Sequence, residues 1–315
     1  MRKGMHVLVT GGAGFIGAHS VRELLAGGHR VTALDDLSRG SRGALPPEAA
    51  LQVLDVRSPE LGPLLQQIQP EAVLHLAAQM DVRRSMADPV GDASTNVLGT
   101  VGALQAAAAC GARRFVFASS AGAVYGEQDH FPAREGHPRR PVSAYGTSKL
   151  CGEEYLAFYR RAFGLSTLSL RYANVYGPGQ DPAGEAGVVA IFCERLLAGE
   201  KPVVNGDGLQ TRDYVHVSDV ARVNALALQS DVSGALNVGT GRETSVLQLL
   251  EILAGPGSPV LHGSPWAGEQ RRSAVDPAAA KAALGWAPQI RLEEGAPDTL
   301  RWFRRARGQG PGSTL

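Results

Sequence analysis

Residues 6–17 narrow the possible folds more than any other stretch of this chain. A short apolar, β-rich run, His6-Val7-Leu8-Val9-Thr10, leads into Gly11-Gly12-Ala13-Gly14-Phe15-Ile16-Gly17, and helical spacing follows over residues 15–26. Glycines at 11, 14 and 17 make the strand-to-helix turn tight and let backbone N–H groups approach a phosphate. The helix N-terminus adds a partial positive charge. Out of context such a loop is equally well a plain strand–helix turn. Here the next strand, residues 30–34, ends in Asp35-Asp36 about 20 residues on, where a carboxylate accepts the hydroxyls of an adenosine ribose. That carboxylate repels a 2′-phosphate, so NAD is expected over NADP. Arg39, close by, weighs the other way because it would accommodate the phosphate.

Strand and helix signals keep alternating after that unit. Residues 51–56, 72–76 and 114–118 read as strands, and residues 59–69 and 89–110 as helices. This alternation predicts an α/β fold of Rossmann type, a doubly wound parallel sheet covered on both faces and joined by right-handed crossovers. A helix over 145–163 and a strand over 165–170 follow. Pro178, Gly179, Pro182, Gly184 and Gly187 then mark loops. Beyond them a helix is expected at 188–198 and strands at 202–205 and 213–217. The division predicted is a dinucleotide-binding domain over 1–177, re-entered by the chain around 215–238, and a smaller α/β substrate lobe mainly within 178–315. The Gly- and Pro-containing tail, 307–315, reads as disordered.

Composition bounds the function class. The 315 residues are 44% hydrophobic and 19% charged, as in a globular enzyme. The net charge of +1 gives no field for nucleic acid or anionic membrane. The clusters Arg139-Arg140, Arg271-Arg272 and Arg304-Arg305 read mainly as solvated faces. Cys110, Cys151 and Cys193 stand far apart, which fits a reducing cytoplasm. Met1-Arg2-Lys3 is charged like a signal peptide, but the apolar stretch behind it is short and runs into glycines, so a strand is expected there. No run of about 18 apolar residues suggests a membrane span.

Tyr145 and Lys149 lie four residues apart in Ser143-Ala144-Tyr145-Gly146-Thr147-Ser148-Lys149. On a helix that spacing puts a phenol beside an ammonium. The cation is expected to pull the phenol below its reference pKa of about 10 and make it a base near neutral pH. Alone, the pair is more often a solvated helix face; the glycine loop gives it weight. Ser119-Ser120 ends the fifth strand, where ligand crevices of open parallel sheets lie, and serines there can hydrogen-bond a reacting hydroxyl or ketone. Asp55 reads as a helix cap when taken by itself, and Asn96 as a polar contact on an exposed turn.

Taken together, these segments resemble the extended short-chain dehydrogenase/reductases. The further motifs are Val124-Tyr125-Gly126, Arg171-Tyr172 with Asn174-Val175-Tyr176-Gly177-Pro178, Thr211-Arg212-Asp213-Tyr214-Val215-His216-Val217, and Asn237-Val238-Gly239-Thr240-Gly241. Within that family the chain is similar to the NAD-dependent nucleotide-sugar epimerase/dehydratase group, and most closely to its UDP-glucose 4-epimerases. The resemblance covers about residues 5 to 305 and implies roles. Gly11, Gly14 and Gly17, with Phe15 and Ile16, would cradle a pyrophosphate. Asp35 and Asp36, with Ser38, Arg39 and Gly40, would hold the adenosine ribose. Asp55 and Val56 would contact adenine. Leu76, Ala77, Ala78 and Gln79 would line the cofactor, with Asn96, Ser119 and Tyr172 in the same set. Tyr145 would be the base, with Lys149 as its electrostatic partner on the nicotinamide ribose. Asn174 and Arg212 would bind the nucleotide diphosphate, and Val203 and Asn205 would pass the uracil or its ribose. Val188, Glu269 and Ser273 complete the substrate set. Ser273 would border the sugar pocket, or else simply face solvent. A homodimer built on helices 89–110 and 145–163 is implied as well.

Two departures matter. Ala121 stands where the group usually carries a third Ser or Thr, so Ser120 would take the hydroxyl's role, with Ser119 in support. Trp266 stands where the late segment often has an arginine that pairs with the diphosphate; Arg271 or Arg272 would have to substitute. The leading expectation is an epimerase that inverts carbon 4 of a UDP-sugar through a 4-keto intermediate. A 4,6-dehydratase needs an acid and a base near Val124, where Gly122-Ala123 offers neither. A sugar-nucleotide reductase and a non-enzymatic NAD(H)-binding regulator would also fit such a fold; intact Tyr145 and Lys149 argue against the regulator.

Overall fold

Strands that are apolar throughout belong inside a sheet covered on both sides, and the chain uses its first half this way. A computed structural model describes residues 4–183, 187–264 and 270–309. Its first half runs β1 (His6–Thr10), α1 (Phe15–Ala26), β2 (Arg30–Asp35), β3 (Ala50–Val53), α2 (Leu61–Ile68), β4 (Ala72–His75), α3 (Val82–Ala87), α4 (Pro89–Ala93), a π-helical turn (Ser94–Leu98) and α5 (Gly99–Ala109). It continues through β5 (Arg114–Ser120), α6 (Ala121–Tyr125), α7 (Ala144–Phe163) and β6 (Ser166–Tyr172). The strand expected over 51–56 ends at Val53, and the helix expected over 89–110 is divided by the π turn, a feature that hydrophobic periodicity does not register.

The second half begins with β7 (Asn174–Tyr176), α8 (Val188–Leu197), β8 (Val203–Asn205), β9 (Thr211–Arg212), β10 (Tyr214–His216), α9 (Val217–Gln229) and β11 (Gly234–Val238). Then come β12 (Thr244–Ser245), α10 (Val246–Ala254), β13 (Leu261–Gly263), α11 (Ala278–Leu284) and α12 (Leu292–Gln309). Residues 307–309, expected in a disordered tail, close α12; residues 310–315 lie outside the described residues.

Seven strands form one parallel sheet in the order β11-β6-β5-β4-β1-β2-β3. Chain order reverses between β1 and β4, which places a ligand crevice beyond their carboxyl ends. Side chains alternate across the sheet. Val7, Val9, Val116 and Ala118 pack into the core under α1, α9 and α11, whereas Leu8, Phe115 and Phe117 pack into the core under α2, α5 and α7. The late strand β11 lies beside β6 in this sheet.

A third core, including Tyr176, Phe192, Val204, Tyr214, Leu249 and Phe303, gathers α8, α10 and α12 around the short strands. Two buried carboxylates knit its loops. Asp213 accepts from Thr240 N, Gly241 N and Val275 N. Asp219 accepts from Gln289 N and Ile290 N. Each replaces water on backbone donors that would otherwise be buried unpaired.

Candidate active site

The glycine loop closes the carboxyl end of β1 against the strand on the other side of the switch point. A Cβ on Gly11, whose φ is +66°, would stand 2.8 Å from Ala77 N, and one on Gly17 would stand 2.0 Å from Gly11 O. Those two glycines are fixed by packing. Gly14 is roomier, with one neighbour, Gly11 O, at 3.3 Å from a built Cβ. Helix α1 starts there without a side-chain cap and without an acid in its first turn. Its first-turn N–H groups therefore lack an intrahelical or capping partner, which suits an anion.

Asp35 ends β2, 7% exposed, and takes N–H bonds from Ala13 (3.0 Å) and Leu37 (2.9 Å). Burial pushes its carboxyl up and those N–H bonds pull it back. A Cβ on Gly40 would sit 2.7 Å from Asp35 Oδ1, so Gly40 keeps the carboxylate clear. Ser38 folds its N–H and hydroxyl onto Asp36. Arg39 pairs at 3.4 Å with Asp181, both half exposed. An uncapped helix, a close-packed glycine turn and a strand-end carboxylate fit a dinucleotide with free ribose hydroxyls. Leu76, Ala77 and Ala78 follow β4, and Phe15 and Ile16 open α1, all partly buried.

Several expected side chains are engaged elsewhere. Asp55 caps no helix: its carboxylate holds Arg57 N and Nε at 2.8 and 2.9 Å. Val56 is buried in the core under α2 and lines a hollow of about 520 Å³ between α2 and α5. Asn96 is buried at 2% rather than exposed, because the π turn directs it inward: its amide holds Gln79 N and O at 2.8 Å each. It therefore shapes the loop after β4. Tyr172 is a core residue whose hydroxyl donates to Asn224 Oδ1 at 2.6 Å.

The reacting groups meet at the end of β5. Helix α7 is started by Ser143, which caps Gly146 N at 3.1 Å, and its Tyr145 N is held by Ser85 Oγ at 3.1 Å. Close packing brings the helix onto the sheet: a Cβ on Gly152 would stand 2.7 Å from the Phe117 ring. Lys149, 3% exposed, donates through Nζ to Ala118 O at 2.8 Å and lies 5.7 Å from the Tyr145 ring centroid. This overturns the expected lowering of the phenol pKa. Burial pushes Tyr145 up to about 12, while a hydrogen bond from Ser120 pulls down and the Asp92 charge pushes up. Burial likewise pushes Lys149 down to about 8, against the attraction of Asp92. Desolvation thus outweighs the spacing that brought the two together.

Of the two serines only Ser120 reaches the phenol. Alternation sends Ser119 to the α7 side, as it sends Phe115 and Phe117, and its hydroxyl donates to Glu153 Oε1 at 2.6 Å. Ser119 is thereby corrected from a supporting catalytic group to a structural one. Glu153 pairs with Arg171 at 2.6 Å, and Arg171 also donates to the Tyr125 hydroxyl at 2.9 Å. The sequence motifs miss both Glu153 and Asp92. Glu153 continues the i, i+4 series of Tyr145 and Lys149, which is a usable signal.

Across the crevice, Asn174 opens β7 beside β10, and its N–H donates to Asp213 O at 2.9 Å, which brings it next to Arg212 in β9. Val188 begins α8, and Val203 and Asn205 bound β8; all three are partly buried. Ser273 is 5% exposed, not solvated, and faces α6: a Cβ on Gly122 would stand 3.4 Å from its Oγ. Arg271 and Arg272 pair with Asp207 and Glu243, respectively. Trp266 and Glu269 lie outside the described residues.

A family model described as the NAD dependent epimerase/dehydratase family matches residues 7–239. The chain belongs to that family. It is 45% identical over 312 residues to the UDP-glucose 4-epimerase of Mycolicibacterium smegmatis, covering 95% of this chain and 99% of that one. The UDP-glucose 4-epimerase of Thermotoga maritima, solved with UDP-glucose, superposes with a TM-score of 0.93 at 43% identity, covering 96% of this chain and 99% of that one. That of Thermus thermophilus, solved with NAD, superposes at 0.91 and 43%, covering 96% and 100%. Like its relatives in the family, this NAD dependent epimerase/dehydratase is an enzyme, and the dinucleotide that fits its glycine cradle is NAD.

Proposed function

We propose that the protein interconverts UDP-glucose and UDP-galactose by inverting carbon 4. The proposal rests on Tyr145, Ser120 and Lys149 standing at the carboxyl edge of β5, one strand from the glycine cradle at the β1/β4 switch point. NAD, when bound, would supply the hydride acceptor and donor at that carbon. Tyr145 takes the proton of the 4-hydroxyl and later returns it. Ser120 hydrogen-bonds the phenol oxygen in place of the hydroxyl that Ala121 lacks, and Lys149 supplies the positive charge that favours the phenolate, the form in which Tyr145 accepts that proton. Asn174 and Arg212 hold the diphosphate, with Val188, Val203 and Asn205 along the nucleotide, and the sugar stays mobile enough to present its other face. Residues 178–315 serve mainly as this nucleotide-sugar lobe. A dehydratase is disfavoured because Gly122 and Ala123 carry no acid for the elimination.

The test is incubation with UDP-, dTDP- and GDP-sugars followed by chromatography; UDP-galactose from UDP-glucose is expected, and 4-keto-6-deoxy product would replace this function with the dehydratase. Denatured protein should release NAD rather than NADP. Asp35→Ala should weaken NAD binding and narrow the gap to NADP, since the carboxylate's repulsion of a 2′-phosphate is lost; an unchanged preference would remove Asp35 from cofactor choice.

Ser273 is a small side chain beside α6, and on the reading that it borders the sugar pocket UDP-N-acetylglucosamine should turn over as well as UDP-glucose. Ser273→Tyr should slow the acetylated sugar selectively, by about tenfold or more, through steric clash. Equal slowing of both sugars would sink the pocket assignment.

Exposed Val90 (79%), Leu98 (66%), Tyr155 (40%) and Phe158 (44%) on α4, the π turn and α7 suit a homodimer through these helices; light scattering reads its mass. No helix among the described residues is long and apolar enough to cross a membrane. Cys110, Cys151 and Cys193 are free thiols, as the reducing cytoplasm would keep them.

A further inference from the structure

Beneath the Tyr145–Lys149 turn lies a carboxylate that the reaction just described does not use. Asp92, in α4, is 2% exposed. Its Oδ1 accepts from Asn96 Nδ2 at 2.8 Å and from Gln79 Nε2 at 3.1 Å, and its Oδ2 accepts from Ser148 Oγ at 2.6 Å. Three neutral donors converge on its two oxygens. Each comes from a different element: Gln79 from the loop after β4, Asn96 from the π turn, and Ser148 from the turn of α7 that carries Tyr145 and Lys149. A buried anion is costly unless charge or dipoles offset it, and the cation within its field is Lys149.

We propose that Asp92 is a positioning residue for the epimerase reaction: through Ser148 it fixes the stretch of α7 that carries Tyr145 and Lys149 against the loop after β4, and so sets the surroundings in which that pair works. The proposal rests on the epimerase function above. Burial alone drives the Lys149 charge away, and Asp92 opposes that; burial also raises Tyr145, and Asp92 adds to it. Neutralising Asp92 therefore moves both groups to lower pH. The remaining charges around the pair do not replace it. His75, from β4, is held neutral, at about 3, by burial and then by Lys149 itself. Glu153, one turn further along α7, is engaged by Arg171. On α3, Arg83 and Arg84 are exposed. Asp81 and Asp88 are spent capping α3 and α4.

The experiment compares wild type with Asp92→Asn, Asp92→Ser and Asp92→Glu as NAD-loaded enzymes. Turnover of UDP-glucose is followed against pH, and phenol ionisation is read by ultraviolet difference titration against Tyr145→Phe. In the two neutral variants the alkaline limb of kcat should move about one pH unit lower, and the Tyr145 step should move in the same direction. Asp92→Glu, which restores the charge, should bring the limb back toward wild type. An unmoved limb in either neutral variant, however low its kcat, overturns the proposal and leaves Asp92 a packing residue. Wild type that turns over no UDP-sugar would overturn the epimerase function instead. The titration then decides Asp92 alone, and a Tyr145 step that stays in place overturns it.

Discussion

Tyr145→Phe is expected to slow epimerisation by about 10²- to 10⁴-fold while NAD remains bound, the range that a positioned acid–base group supplies. The substitution removes one oxygen and leaves the ring in place. The glycine turn and Asp35 belong to β1, α1 and β2, far along the chain from α7, so the cofactor's hold should survive. Burial pushes the wild-type phenol up to about 12. A difference titration should therefore show one tyrosine step near that pH that the variant lacks. Near-normal turnover in Tyr145→Phe, with NAD bound, would remove Tyr145 from the reaction.

Arg171→Met should be the most destabilising of these substitutions, by about 3–5 kcal/mol. The guanidinium grips Glu153 with Nη2 and Nε at 2.6 and 2.9 Å, and both side chains are about 95% shielded from water. Burial works against the Arg171 charge, but the hydrogen bonds and charge of Glu153 outweigh it and raise its pKa. Without Arg171, Glu153 keeps Ser119 and a longer contact to Arg139 at 3.7 Å, too little for a buried carboxylate. The Tyr125 hydroxyl would lose a donor as well. In Arg171→Met/Glu153→Leu no orphaned charge remains, so most of the loss should return. Urea unfolding of the single and double variants measures this. A single variant within about 1 kcal/mol of wild type would show that the pair contributes little.

The first of these sites is readable in the chain; of the second, the chain shows the i, i+4 place of Glu153 and the Arg171 motif but not that the two meet. The glycine spacing, the acid at the end of the second strand and the alternation of apolar strands with amphipathic helices are local. They fix the doubly wound sheet and the edge on which its ligands lie, because backbone turns and side-chain periodicity depend on near neighbours. The i, i+4 spacing places Lys149 beside Tyr145 for the same reason. What the pair does electrostatically is not local. Ser85 and Asp92, 60 and 56 residues before their partners in α7, pack against its first turn. Burial at this packed junction outweighs the spacing, so the phenol is pushed up where the spacing alone predicts a fall. Asn96 reads as an exposed polar residue, but a π turn rotates it inward. Tyr172 and Ser119 read as site residues, but in the folded chain they meet Asn224 and Glu153. Sequence determined which groups are near each other along one element; only the tertiary structure decided which of them keep their water, and desolvation is what sets their charge.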